Sequence, residues 1–448
     1  MPEISFLSLL SAPVKGALYA VVFAATVSTW GLFWLPAAAI VQPLSYPLFQ
    51  KIVGHLGAAF FTIMVFAIRN IHGVEFVITG DAVRPNESAL FFCNHRTRLD
   101  WYVWPSFINK ALFPPDNHKL CHLLCCRMFL WYPLLQYDSL QHLKIVLKED
   151  LRRIPLVGHG AAILQYMFLK RQWEHDQIHM KSMCRVYKTS KAPYKLLVFP
   201  EGTDLSEKNI KLSHEYAEQH NLPKYKQVLH PKTTGSCFLF KNLAPLSGVS
   251  NSEAHISAIY DAIIAYDGVI PQQEKCLFSG KMPKRVHIHI ERYSVQGIME
   301  KCKSLVTGSS NSAHKGGEDM YSEGLSTWIK KKFEFKDQIL TEFYEQSEQH
   351  RLLQTQIERN RKETRQHKQS RKKFRWPKDT IRPSLVLKIL AYLALLPLPV
   401  LSHIIFFRGG LWWIEVSLLT LILLMNVLVL KIYGGWDILA TASRQVDG

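Results

Sequence analysis

The sequence lacks a Gly-x-Ser-x-Gly motif, the turn that exposes the nucleophilic serine of α/β-hydrolases. No serine or cysteine lies in the kind of surroundings that activate a side chain for covalent catalysis. A mechanism with a covalent enzyme intermediate is therefore not indicated. If the protein transfers a chemical group, the donor must arrive already activated.

Cysteine pairs at zinc-finger spacing are also missing. The eight cysteines are scattered through mostly apolar segments, which is typical of reduced residues in a core or a membrane. His118, Cys121, His122 and Cys125 do fall at helical spacing, but leucines lie between them and no second ligand pair follows. We therefore expect no metal site.

Acidic residues are few beside 54 basic ones, and the net charge is +18. Residues 359–382 hold eleven Lys or Arg against only Glu363 and Asp379. Such a segment beside a membrane favours the cytoplasmic side and attracts anionic lipids. A solvated linker that only sets topology remains an alternative. Nucleic-acid binding is not indicated, because no basic surface with interleaved aromatic residues accompanies the run.

Charge is absent from several long segments. Residues 16–50 carry none and are long enough for one membrane span, while the shorter run 52–68 contains His55 and predicts either a second span or a re-entrant helix. A signal peptide fits less well, because the apolar stretch exceeds the usual length and has no clear cleavage site. Residues 385–407 and 411–433 predict a transmembrane hairpin.

The pattern predicts five regions. They are a membrane segment at 1–70 with one or two spans, an α/β domain at 71–296, a flexible connector with a charged helix and the basic segment at 297–384, the hairpin at 385–433, and a tail at 434–448. Four strands are predicted, at 76–78, 89–93, 195–199 and 286–291, and residues 160–185 are predicted as one helix. Strands separated by helix-length segments predict a central sheet flanked by helices, hence an α/β fold.

Residues 94–101, Asn-His-Arg-Thr-Arg-Leu-Asp-Trp, follow the strand predicted at 89–93. His95 and Asp100 are five positions apart, which leaves them about 140° apart on a helix and on opposite faces of a strand, so they can meet only across a turn. A carboxylate at one imidazole nitrogen lets the other take a proton from a hydroxyl near neutral pH. We predict His95 as general base and Asp100 as the residue that orients it; a purely structural His–Asp pair is the alternative.

Residues 196–203, Leu-Leu-Val-Phe-Pro-Glu-Gly-Thr, are a short apolar run that ends in a turn, which predicts a buried strand. Together with Asn-His-x4-Asp, in this order, the motif resembles the hallmarks of the glycerophospholipid (1-acylglycerol-3-phosphate) acyltransferase family. Segments at 73–80, 168–173, 230–235, 259–261 and 270–272 look like its lysocardiolipin acyltransferase branch. The resemblance covers roughly residues 15–300 and the C-terminal hydrophobic pair, whereas the stretch 109–135 is longer than the family pattern.

This resemblance implies an integral membrane enzyme that transfers an acyl group from acyl-CoA, as co-substrate, to a hydroxyl of a lysophospholipid, with no bound cofactor. The implied acceptor is lysocardiolipin, with lysophosphatidic acid and other anionic lysolipids as neighbours in specificity. The candidates for substrate binding are basic residues near the motifs and residues that the family pattern places at the substrate. They are Arg98, Lys170, Arg171, Glu201, Gly202, Thr203, Pro231, Lys232 and Gly235.

Several of these residues have a plainer interpretation. Gly202 is compatible with a simple turn, Lys170 and Arg171 with side chains that snorkel at a bilayer surface, and Glu201 with a structural salt bridge. For the whole protein, the alternatives are an inactive membrane scaffold of the same fold and an acyl hydrolase. The intact motifs count against the scaffold.

The resemblance implies the endoplasmic reticulum membrane, with mitochondrial contact regions as a second compartment, and a catalytic domain that faces the cytoplasm. An even number of spans before the domain places both termini and His95 on that side.

Asn86, in the sequon Asn86-Glu87-Ser88, is therefore expected to carry no glycan. Digestion of the expressed protein with an endoglycosidase checks this, and a mobility shift that disappears in Asn86→Gln would contradict the orientation.

Overall fold

The computed structural model describes residues 10–97, 127–154, 156–190, 192–245, 256–271, 275–307 and 317–346, together with Leu393 and Pro397. Several sequence predictions lie outside these residues. They concern Arg98 and Asp100, the candidate ligands His118, Cys121, His122 and Cys125, most of the long stretch 109–135, the basic segment 359–382 and the C-terminal hairpin.

Within the described residues, seven strands form one mixed sheet in the order β1-β7-β6-β2-β5-β3-β4. The strands are β1 Glu75–Gly80, β2 Ala89–Cys93, β3 Leu143–Lys148, β4 Met167–Leu169, β5 Lys195–Val198, β6 Ala258–Asp267 and β7 Arg285–Ser294. Strands β6, β2, β5, β3 and β4 run parallel, β7 is antiparallel to β6, and β1 is parallel to β7. The predicted central sheet is confirmed.

All four predicted strands are present, and β3, β4 and β6 were not predicted. The single helix expected over 160–185 is wrong: a helix at Val157–Ile163, strand β4 and a helix at Trp173–Thr189 take its place. Gln165 and Arg171 have φ angles of 59° and 65°, which interrupt the helical hydrogen-bond pattern on either side of β4. The apolar spacing alone could not reveal these two breaks.

Helices cover both faces of the sheet. In chain order they are α1 Ala12–Thr29, α2 Leu35–Ala39, α3 Tyr46–Ala67, α4 Arg127–Gln136, α5 Val157–Ile163, α6 Trp173–Thr189, α7 Glu207–Gln219, α8 Thr233–Leu243, α9 Lys275–Phe278, α10 Val295–Thr307 and α11 Gly317–Glu345. The N-terminal helices and α5 pack on one face, and α6, α8, α10 and α11 pack on the other. Successive residues of β2, such as Phe91 and Phe92, point into the two opposite layers.

Two N-terminal helical segments are long and apolar enough to cross a membrane, residues 12–39 and 46–72. In the second segment, 67% of the most apolar window is buried inside the protein, against 33% in the first. Trp30 lies in a π-helical turn and donates its indole Nε1 to the carbonyl of Leu56 over 2.6 Å, which joins the two segments. Helix α3 is therefore part of the core that packs on the sheet, as well as an apolar segment suited to membrane association.

The connector predicted to start at residue 297 begins instead as helix α10, and the charged helix predicted within 297–384 starts at Gly317 as α11. The two helices contribute Ile298, Leu325 and Phe333 to the core on one face of the sheet. Gly- and Ser-rich residues between them suggested a flexible linker and obscured the apolar face on each side. The packed domain therefore continues past residue 296 to the end of α11.

A buried ion pair fixes α11 on the sheet. The Lys336 ammonium lies 2.6 Å from an Asp261 carboxylate oxygen of β6 and donates to the carbonyl of Ala262 over 2.9 Å. Lys336 is 0% exposed and Asp261 3%. Lys332, one turn earlier, lies 3.8 Å from the same carboxylate. The charges of Lys336 and Asp261 therefore compensate each other in a site that is shielded from solvent.

We expect Lys336→Met to lower the free energy of unfolding by about 3 kcal/mol, because it leaves the Asp261 carboxylate buried without its close partner. Denaturant unfolding of the detergent-solubilised chain, followed by tryptophan fluorescence, measures the change. Lys331→Met, at an exposed position of the same helix, is the control and should change stability by less than about 0.5 kcal/mol. Equal stability of both variants would show that the pair contributes nothing.

Candidate active site

The two sequence motifs meet at one edge of the sheet. Strands β2 and β5 are parallel neighbours, and each is followed directly by its motif, Asn94 and His95 after β2 and residues 199–203 after β5. The carboxyl ends of parallel strands form the edge at which open α/β sheets bind ligands. The sequence motifs are thus brought together at the position where this fold places its sites.

A buried carboxylate joins the two motifs. Glu201 accepts the backbone N–H of His95 at Oε1 over 2.7 Å and the backbone N–H of Leu229 at Oε2 over 2.9 Å. Its side chain is 1% exposed. The hydrogen bonds of Glu201 therefore go to the main chain on both sides. This arrangement differs from the salt bridge considered as a plainer interpretation of the residue.

Asn94 secures the other side of the His95 turn. Its side-chain oxygen accepts the N–H of Ile264 over 2.8 Å, and its side-chain nitrogen donates to the carbonyl of the same residue over 3.1 Å. The amide thus imitates one more pair of the ladder between β2 and β6. The sequence placed Asn94 in the motif without indicating this role.

The imidazole of His95 is held in the wall of a cleft. The side chain is only 9% exposed, its ring centroid lies 4.7 Å from that of Phe199, and its carbonyl accepts the N–H of Leu205 over 3.0 Å. His95 is therefore fixed through its backbone and through its ring. The predicted contact with Asp100 lies outside the described residues and stays a prediction.

The turn after β5 is held by residues from two other elements. Gly202 has φ of 72°, a conformation that glycine adopts without strain, and its N–H donates to the carbonyl of Phe199 over 2.9 Å. Arg171 donates to the Gly202 carbonyl over 2.6 Å, and the Lys232 N–H donates to the Pro200 carbonyl over 2.7 Å. Gly202 is thus a turn residue, and the turn lies within the site.

These elements enclose a cleft of about 520 Å³. Among the sequence-predicted residues, His95, Arg171, Gly202, Thr203, Lys232 and Gly235 line it. Lys170 is exposed and donates its backbone N–H to Asp176 over 2.8 Å. In the described part of the chain, neither Lys170 nor Pro231 is among the lining residues, and Glu201 lies buried behind the wall.

The cleft has a charged mouth and an apolar floor. Its charged lining comprises the basic residues Lys148, Arg171 and Lys232 and the acidic residues Asp150, Asp176 and Asp204, and its apolar lining comprises Val146, Leu169, Met180, Val198 and Leu239. Lys148, Trp173 and Asn209 also line the cleft and were not predicted. Lys148 ends β3, so recognition of that strand from its alternating apolar residues would have placed it at the same edge. No metal-binding cluster of His, Cys, Asp or Glu occurs within the ranges that the structure describes.

Comparisons with known proteins identify relatives of this chain. The family model described as Acyltransferase matches residues 127–248. Lysocardiolipin acyltransferase 1 of Danio rerio is 32% identical over 314 residues, which are 70% of this chain and 67% of that protein. Lysophosphatidylinositol acyltransferase 10 of Caenorhabditis elegans is 28% identical, over 70% of this chain and 67% of that protein. The chain thus matches these relatives over about two thirds of their length.

Among solved structures, the crystal structure of the 1-acyl-sn-glycerophosphate (LPA) acyltransferase PlsC from Thermotoga maritima is similar with a TM-score of 0.35 and 14% identity. The alignment covers 71% of this chain and 97% of that one.

Burial raises the pKa of the Glu201 carboxyl from 4.5 to about 7, although the amides of His95 and Leu229 act in the opposite direction. A pKa raised on folding means that the folded state binds the proton more tightly than the unfolded state. The resulting stabilisation is complete below 4.5 and is lost as the pH rises through about 7.

We expect the melting temperature of the wild type to contain a component that falls as the pH rises between these two values. Glu201→Gln cannot titrate at this position, so this component should be missing from its profile. Thermal unfolding of both proteins in detergent, across this pH range, measures the difference. Parallel profiles for the two proteins would contradict the raised pKa.

Proposed function

The chain belongs to the acyltransferase family whose members include the lysophospholipid acyltransferases, and from this premise we propose that it transfers a fatty acyl group from acyl-CoA to a hydroxyl of a lysophospholipid. One observation carries the proposal: His95 and the turn at Gly202 and Thr203 line a single cleft and are tied together by Glu201. The proposed base and this turn thus face the same space.

His95 is proposed to act as general base. Its imidazole takes the proton of the acceptor hydroxyl while the oxygen attacks the thioester carbonyl. The carbon–oxygen ester bond forms, the carbon–sulfur bond breaks, and the CoA sulfur takes up the proton that His95 holds. Asp100 is proposed to orient the imidazole and to stabilise its charged form. No covalent enzyme intermediate is needed, in agreement with the lack of a nucleophile motif.

Glu201 supports this step without joining it. Its carboxylate accepts the His95 N–H and lies behind the cleft wall, so we assign it the task of fixing the backbone that carries the base. Positioning of this kind affects the rate strongly, because displacements of about 1 Å can cost on the order of a hundredfold in rate.

The lining of the cleft suits the two substrates. Arg171 and Lys232 are exposed cationic residues of its lining, which we assign to the phosphates of CoA and of a lysolipid headgroup, whereas Lys148 is paired with Asp150. Leu169, Met180 and Leu239 form part of an apolar floor that suits an acyl chain. Arg98 is proposed as a further phosphate contact, and Thr203 and Gly235 as substrate-binding residues.

The proposed acceptor is an anionic lysophospholipid, with lysocardiolipin first. The relatives include one protein named for lysocardiolipin and one named for lysophosphatidylinositol. The net charge of +18 favours an anionic headgroup without selecting among these lipids. Lysophosphatidic acid is a further candidate, and incubation of one preparation with each acceptor in turn distinguishes them.

The proposed location is a membrane of the endoplasmic reticulum or its mitochondrial contact regions, with the cleft on the cytoplasmic side. Two apolar N-terminal helical segments support membrane association. The basic segment 359–382 is proposed to lie against anionic lipid at the same surface. Both substrates would then reach the cleft from one side of the bilayer.

We expect His95→Ala to reduce acyl transfer from radiolabelled acyl-CoA to lysocardiolipin by about 100-fold or more, because a positioned general base contributes this much. The full-length protein, purified in detergent, is assayed with thin-layer separation of the labelled lipid. His220→Ala, an exposed histidine at the end of α7, is the matched control and should transfer at the wild-type rate.

Equal transfer by wild type and His95→Ala would end the catalytic proposal for this residue. The absence of labelled phospholipid with every acceptor in the panel would favour the inactive scaffold. Release of labelled fatty acid whether or not an acceptor is present would favour the hydrolase.

A further inference from the structure

A carboxylate on α11 binds a loop beside the active site. One oxygen of Asp337, Oδ1, accepts the backbone N–H groups of Lys226 over 2.9 Å, Gln227 over 2.6 Å and Val228 over 3.3 Å. Three consecutive amides that point at one oxygen define the path of that loop closely, since their direction fixes the peptide planes.

The next residue of the loop is Leu229, whose N–H donates to Glu201 over 2.9 Å. The other oxygen of Glu201 accepts the His95 N–H over 2.7 Å. A continuous series of hydrogen bonds therefore runs from Asp337 through residues 226–229 to Glu201 and on to the backbone of the proposed base.

A second contact from α11 reaches the other side of the same turn. The guanidinium carbon of Arg96, the residue after His95, lies 4.7 Å from the centre of the Tyr344 ring. The Tyr344 hydroxyl accepts the backbone N–H of Tyr266 over 3.1 Å, which fixes the ring at the end of β6. Helix α11 thus contacts both segments that Glu201 joins.

The attachment of α11 to the domain does not depend on Asp337. Phe333, Ile339 and Leu340 are buried in the core beneath the helix, and Lys336 forms its ion pair with Asp261 over 2.6 Å. Asp337 is half-buried and its three bonds all go to the loop. Its carboxylate is thus free to act on the loop rather than on the docking of the helix.

We propose that Asp337 is a positioning residue for the reaction, which holds the 226–229 loop so that Leu229 and His95 share the Glu201 carboxylate. The expected change in kcat rests on the proposed acyl transfer. The expected change in the position of the 226–229 loop rests on the hydrogen-bond series alone. Asp337 acts through the loop and through Glu201.

The test compares full-length Asp337→Asn and Asp337→Ala with Glu334→Gln, which removes a charge from an exposed position one turn earlier on the same helix. We expect Asp337→Asn to lower kcat about tenfold with the KM of acyl-CoA and of lysocardiolipin unchanged within roughly twofold. Asp337→Ala should lower kcat further, since the carboxamide of Asp337→Asn still offers one acceptor oxygen and the alanine side chain offers none. Glu334→Gln should match the wild type.

Hydrogen exchange followed by mass spectrometry is the second measurement, and it does not depend on enzymatic activity. In Asp337→Asn, exchange should accelerate in the segment 226–229 and also in the segment that contains His95, while α11 keeps its protection. A purely structural role would accelerate exchange along α11, lower the melting temperature and leave the His95 segment unchanged.

The outcomes separate the two proposals. Wild-type kcat in Asp337→Asn, or unchanged exchange at His95, would overturn the positioning role even if the wild type transfers acyl groups. A wild type without any transfer would overturn the proposed function, and the exchange at His95 would then decide alone whether the hydrogen-bond series operates.

Discussion

The Glu201 carboxylate is the constraint on which the active site depends. It accepts one amide from the strand β2 turn and one from the loop before α8, and it does so behind the cleft wall, 1% exposed. A carboxyl in such a position must satisfy its oxygens internally, because the surrounding protein shields it from solvent. The relative position of the His95 backbone and the Leu229 loop is therefore set by one side chain.

Other parts of the fold hold the two motifs that this carboxylate joins. Strands β2 and β5 lie side by side, so the two motifs start from the same edge, and Asn94 extends the ladder toward β6. The Gly202 turn then receives Arg171 on one side and Lys232 on the other. Four separate stretches of chain are joined around a cleft of about 520 Å³. The geometry follows from main-chain groups, which explains why the motifs contain Asn, Glu and Gly as well as the base.

The sequence predicted the ends of β2 and β5 well, because each is an uninterrupted apolar run that stops at a motif. It did not predict β4, which has three residues between Gln165 and Arg171, since left-handed residues leave no pattern in hydrophobicity. It also did not predict the pairing of Asp337 with Gln227, which are 110 positions apart. An exposed-looking aspartate on a charged helix has no local signal, and only the packing of α11 on the sheet gives it a partner. The family resemblance was confirmed; the contact of His95 with Asp100 remains a prediction.

Lysines beneath α11 and at the cleft differ in the partners that they face. Lys336 and Lys332 face the Asp261 carboxylate beneath α11, and Lys332 also lies 2.8 Å from Glu291, so their charges are spent on acidic partners within the protein. Lys232 is exposed at the mouth of the cleft, directly before α8, whose first-turn N–H groups and dipole add to its positive field. A phosphate that enters the cleft therefore meets Lys232, and it does not meet Lys336 or Lys332. Lys232 is therefore placed to attract an anionic substrate, whereas Lys336 and Lys332 are already compensated by Asp261 and Glu291.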